Sequence, residues 1–165
     1  INYGENPGLS ISCSGTLGTT YEADSYNIPS IAVSNEVDLS IQHTSEFKKM
    51  DWDVSKKTLK DIAADVLKNG FSNQVSILNI NVPAGATINT DIRITKQARS
   101  NYSTFKKPGI RDYSMSYILK SQLDVDINKI AKNSDVYANY FDKVISITPL
   151  TWNLSVDTDW KYKNT

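Results

Sequence analysis

"CSGTLGTTYEADSYNIPSIAVS", residues 13–34, decides the fold. Small polar residues lead into a segment that predicts a short helix from about Thr16 to Ser25, with Asn27 and Pro29 as its stop signals. The run "PSIAVS", short, mostly apolar and bounded by polar residues, has the pattern of a buried parallel strand. Loop, helix and strand in that order make the second half of a βα unit, so the expected class is α/β. The helix start is itself a candidate site. Ser14, Gly15 and Thr16 sit where free backbone N–H groups and the positive end of the helix dipole converge, which suits an anion such as a phosphate. The Ser14 and Thr16 hydroxyls add donors, and Gly15 lets a phosphate oxygen approach the backbone. The same three residues also make an ordinary helix cap, and this stretch alone leaves both readings standing.

Upstream, "INYGENPG" (residues 1–8) packs turn-forming residues densely. Downstream, Glu36 to Asp53 reads as a loop. In "DVSKKTLKDIAADVLKNG" (residues 53–70), Val54, Leu59, Ile62, Val66 and Leu67 recur at helical spacing. Asp53 or Ser55 is expected to cap this helix and Gly70 to close it. Lys56, Lys57, Lys60 and Lys68 form its solvated face.

In "VSILNINVPAG" (residues 75–85), Ile77, Asn79 and Asn81 alternate with Leu78, Ile80 and Val82, which predicts a strand ended by Pro83 and Gly85. "DIRITKQ" (residues 91–97), "YSMSYILK" (residues 113–120) and "KVISITPL" (residues 143–150) are further strand candidates. The expected organisation is a single domain over 1–165. Residues 1–97 would form part of an α/β core, 98–139 an extended arm or hairpin, and 140–165 the last core strand and a tail. Too little periodicity survives in 98–139 to define a core of its own, which suggests completion by another subunit.

The chain of 165 residues carries 18 basic and 18 acidic side chains, so net charge offers no case for a nucleic acid polymer or an anionic membrane surface. No apolar run is long enough to span a bilayer. A single cysteine, Cys13, excludes an internal disulfide and fits a reducing, cytoplasmic setting. One His and one Cys rule out zinc-finger and HExxH sets. "DVDIN" (residues 124–128) lacks the Gly and Glu of a calcium loop. His43 has no nucleophile motif near it and reads as a surface residue. Cys13 reads as a small semi-buried residue rather than a reactive thiol.

Four blocks in order raise the signal at residue 15. "INYGENPG" with "SGTLGTTYEADSYNIPSIAVS", then "LNINVPAG", then "VISITPL" resemble the SurE family of survival-protein nucleotidases and acid phosphatases. Its pattern reads S-G-x-N-x-G-x-N, S-G-T-x-x-x-A-x-E, P-S-I-A-x-S, L-N-x-N-x-P and V-S-x-T-P-L. Thr19 and Thr20 depart from it, and residues 101–110 match loosely. The resemblance implies a Rossmann-like core with a protruding β-hairpin arm exchanged between subunits in a homodimer or homotetramer. It implies hydrolysis of nucleoside 5′- and 3′-monophosphates or other phosphate monoesters with magnesium or manganese. It assigns Asn2 as a metal ligand and Asn6, Ser14, Gly15 and Thr16 as substrate-binding residues. The family's metal-binding Asp pair has no counterpart here and is expected upstream of Ile1, so no catalytic residue is assigned within the chain and the 165 residues alone are expected to be nearly inactive. The alternative class is a non-catalytic β-rich ligand-binding or interaction domain, for which nine Tyr and three Trp would be the evidence.

Overall fold

The structure is a computed structural model. It describes all residues except 42–44, 73, 118, 158 and 160–165. His43 and most of the tail therefore lie outside the described residues.

Strand β1 (Asn2–Tyr3) is followed by a 3-10 helix (Gly8–Cys13), helix α1 (Gly15–Ser25) and strand β2 (Ser30–Asn35). Helix α2 (Asp53–Asn69) leads to β3 (Ile77–Val82) and β4 (Ile92–Ile94). Strands β5 (Ser103–Phe105) and β6 (Ser121–Leu123), helix α3 (Asp135–Tyr140) and β7 (Ile145–Leu150) complete the order. The main sheet runs β1-β2-β3-β7-β4. β1, β2 and β3 are parallel, whereas β7 runs antiparallel to β3 and parallel to β4. The α/β class holds, with an antiparallel strand inserted.

Alternation in β2 and β3 sorts the two faces. Val33, Ile80, Val82, Ile145 and Ile147 pack under Val54, Leu59 and Ile62 of α2. Ala32, Ile77 and Leu150 pack on the other side with Leu17 and Tyr21 of α1. Both connections step the same way, β1 to β2 and β2 to β3, yet their helices cover opposite faces. Two right-handed crossovers stepping together would share a face, so one of these is left-handed. The result separates α2 from the loop and helix that follow β1.

Helix α2 forms where its periodicity predicts, with two differences. Asp51 Oδ1 accepts the Asp53 N–H at 2.9 Å, while Ser55 is buried and donates its hydroxyl to Asn35 Oδ1. Leu67 is 88% exposed, because the inward stripe at this turn is filled by Val66. Gly70 ends the helix at φ 73°.

Between residues 98 and 139, β5 and β6 pair antiparallel as a separate two-stranded ribbon. The strand expected over 113–120 is not formed among the described residues: Tyr113 and Ser114 lie in a turn, and pairing begins at Ser121. Residues Ser134 to Asn139 do not extend with the ribbon. Asp135, Val136, Ala138 and Asn139 are buried in α3, and Val136 packs with Ala98 and Tyr102.

Candidate functional site

The parallel strands end together at Tyr3, Asn35 and Val82, the edge where open α/β sheets place their ligands. The turn after β1 folds back on itself. Gly4 takes φ 112°, and its carbonyl accepts Asn2 Nδ2 at 2.6 Å and Asn6 Nδ2 at 3.3 Å. Asn6 Nδ2 also donates to Ser34 Oγ at 3.0 Å. With its amide nitrogen tied to Gly4, the Asn2 side chain offers Oδ1 as its acceptor end.

Ser14 starts α1 as an N-cap, its Oγ accepting the Leu17 N–H at 3.3 Å. The capping reading is therefore realised, and it leaves the Gly15 and Thr16 N–H groups in the first turn, ahead of any intrahelical acceptor. A cleft of about 850 Å³ is walled by Asn2, Asn6 and Ser14 together. Gly15 and Thr16 follow at the helix start and are not among its lining residues.

Sequence reasoning missed several walls of this cleft. Tyr102, Ser103, Thr104 and Phe105 line it from the ribbon, a stretch the sequence marks only as an arm. Tyr102 is buried and its hydroxyl donates to the Glu5 carbonyl at 3.4 Å. No local pattern marks that contact. Cys13 also lines the cleft and is exposed, so it is not the semi-buried residue expected.

Glu5 lies beneath the turn, 4% exposed, with Oε2 accepting the Val37 N–H at 3.0 Å and Oε1 accepting the Tyr140 hydroxyl at 3.4 Å. Burial pushes its carboxyl above the ordinary value, against the pull of its own backbone N–H and that of Val37. Burial and the nearby Glu5 and Glu36 carboxylates push the Tyr140 hydroxyl up as well. Glu5 is thus a buried anchor that ties the turn to the segment after β2.

Among the described residues, those lining the cleft include Glu5 and Glu46 and no Lys or Arg. A helix start supplies about half a positive charge, too little to balance a phosphate dianion. Among the described residues no group of three His, Cys, Asp or Glu side chains is placed to hold a metal. Asn2 Oδ1 is one neutral oxygen, and a divalent cation takes carboxylates as well as neutral donors. These residues do not by themselves fit a magnesium or manganese ion.

With the geometry in place, the comparisons are specific. Residues 1–104 match the family model described as Survival protein SurE. The chain belongs to the SurE family. It is 36% identical to the 5'-nucleotidase SurE of Thermococcus gammatolerans, over 99% of this chain and 61% of that one. The 5'-nucleotidase SurE of Methanothrix thermoacetophila is 35% identical, covering 97% of this chain and 61% of the relative. The chain thus spans about three-fifths of the length of these curated relatives. The crystal structure of the SurE protein from Aquifex aeolicus superposes with a TM-score of 0.70 at 23% identity, covering 94% of this chain and 58% of that one, and supports the SurE fold. No helix among the described residues is long and apolar enough to cross a membrane.

Proposed function

We propose that this SurE chain is part of a phosphomonoesterase that hydrolyses nucleoside 5′- or 3′-monophosphates, with the phosphate seated between Asn6 and the start of α1. The observation that carries the reading is that Asn2, Asn6 and Ser14, all in the turn-rich opening of the chain, wall one cleft together with the segment 101–105. The relatives named 5'-nucleotidases favour this over a non-catalytic binding domain.

The Gly15 and Thr16 N–H groups and the Thr16 hydroxyl would hold phosphate oxygens at the positive end of α1, stabilising charge as it shifts during transfer. Ser14 would hold the helix start in place as its cap and present its hydroxyl to the cleft. Asn6 would orient the ester from the opposite wall. Asn2 Oδ1 would be one ligand of a divalent cation, magnesium or manganese, which neutralises phosphate and activates water when bound. Such an ion takes carboxylate ligands besides this neutral oxygen. The exposed Ile110 and Met115, between β5 and β6, suit pairing with a second copy in a homodimer or homotetramer. A cytoplasmic setting fits the single free cysteine.

The test is phosphate release from AMP and p-nitrophenyl phosphate by the native protein carrying this chain, with manganese and with a chelator. Hydrolysis that stops with the chelator, and that falls at least about tenfold in Asn2→Ala and Ser14→Ala, supports the reading. Turnover indifferent to the chelator and to both substitutions overturns it.

A further inference from the structure

Two fully buried amides on β3 have no role in the site described so far. Asn79 and Asn81 are each 0% exposed and stand two residues apart, so they share the face of the sheet that meets the turn after β1. Both reach the same residue. The Asn6 N–H donates to Asn81 Oδ1 at 2.7 Å, and Asn79 Nδ2 donates to the Asn6 carbonyl at 2.9 Å. One takes the donor and the other the acceptor of a single main-chain residue, as a neighbouring strand would.

The grip comes with an unfavourable feature. Asn79 Oδ1 and Asn81 Nδ2, the ends pointing away from Asn6, have no hydrogen-bond partner among the described residues. A buried amide with one end unpaired destabilises a fold that an apolar side chain would suit, and the same face accepts Ile77 at the preceding alternate position. What the amides supply and an apolar residue cannot is the fixed orientation of Asn6. Its side chain is in turn directed to Ser34 Oγ and the Gly4 carbonyl, and Asn6 lines the cleft.

We propose that Asn79 and Asn81 are positioning residues that clamp the Asn6 peptide and thereby set the substrate-facing wall of the cleft. The functional half of this rests on the phosphomonoesterase reading; the clamp itself does not.

The test uses Asn81→Leu and Asn79→Leu in the native protein carrying this chain, with Asn81→Asp as the conservative variant that keeps an acceptor oxygen. Amide hydrogen exchange at Asn6 is expected to quicken roughly five- to tenfold in Asn81→Leu, the worth of one hydrogen bond. Exchange at Val37, tied to Glu5, stays unchanged. The KM for AMP rises by a similar factor while kcat stays within about twofold, and Asn81→Asp returns both readings towards the unsubstituted values. Should Asn81→Leu not fold, Asn81→Ala gives the same reading. Asn6 exchange unaltered by Asn81→Leu, faster exchange with an unchanged KM, or Asn81→Asp behaving like Asn81→Leu overturns the proposal. If the unsubstituted protein does not hydrolyse AMP, the nucleotidase reading falls on its own, and Asn6 exchange still decides the clamp.

Discussion

Gly8 and Asp135 lie 127 residues apart and meet directly, the Gly8 N–H donating to Asp135 Oδ2 at 2.9 Å. The other carboxyl oxygen accepts the Ala98 N–H at 2.9 Å and the Val136 N–H at 2.8 Å. One fully buried side chain thus joins the start of the 3-10 helix, the segment after β4 and the first turn of α3. Asp135→Asn places an NH2 against one of these N–H donors and leaves it unpaired. The expected loss is about 2–3 kcal/mol of stability, read as a lower midpoint in urea unfolding. An unchanged midpoint would show that the three bonds do not hold α3 to the cleft.

At Gly8 itself the backbone has φ 60°, and an added Cβ would stand 2.4 Å from the Ser100 carbonyl oxygen and 3.1 Å from Val136 Cγ2. Gly85 has a similar φ of 77° with open space around it. The pair separates conformational strain from close contact. Gly85→Ala should cost about 1–2 kcal/mol, the left-handed penalty alone. Gly8→Ala should cost at least about twice that, because the Ser100 backbone must also move. Equal unfolding midpoints for the two variants would refute the contact argument.

These two positions also show where sequence reading succeeds and stops. Helix α2 was legible because Val54, Leu59 and Ile62 keep one phase over about two turns and Gly70 marks the end. β2 was legible as a short apolar run between turn residues, and β3 from the alternation of Ile77, Asn79 and Asn81 with Leu78, Ile80 and Val82. Helix α3 was not, since its six residues bury Asp135 and Asn139 alongside Val136 and are held by partners far away in the chain. β5 and β6 are three residues each, too short for alternation to register. In the cleft, Asn2, Asn6 and Ser14 could be named from motifs, but Tyr102 and Glu5 gain their places only through tertiary contacts. Neither has a spacing that announces it.

Cys13 is an exposed thiol on the cleft wall next to Ser14. A bulky maleimide attached there would occupy the space in front of the α1 start. Alkylation of the native protein is expected to abolish phosphate release, and AMP or inorganic phosphate should slow the labelling. Cys13→Ser is expected to keep activity and to resist the reagent. Full activity after complete labelling, followed by mass spectrometry, would remove the start of α1 from the substrate path.

Glu5 and Asp135 give stability a defined pH dependence. Burial is the largest influence on both, lifting Glu5 above 4.5 and Asp135 above 3.8, while N–H donors pull each back in part. A carboxyl whose pKa is raised on folding binds its proton more tightly in the folded chain. Its stabilising contribution is complete below the unfolded value and is lost as pH climbs through the folded one. Exposed Asp38, Asp112 and Asp126 are shifted the other way by Ser40, Ser114 and Asn128, so their windows lie below 3.8 and do not overlap. Urea midpoints should therefore fall as pH rises from about 4 through the raised values of these two carboxyls. Glu5→Gln keeps an acceptor for the Val37 N–H and relieves the repulsion from Glu36, so its midpoint should fall less across the same interval. A midpoint that rises over this range, or a slope unaltered by Glu5→Gln, would mean that Glu5 is not held as a buried acid beneath the cleft.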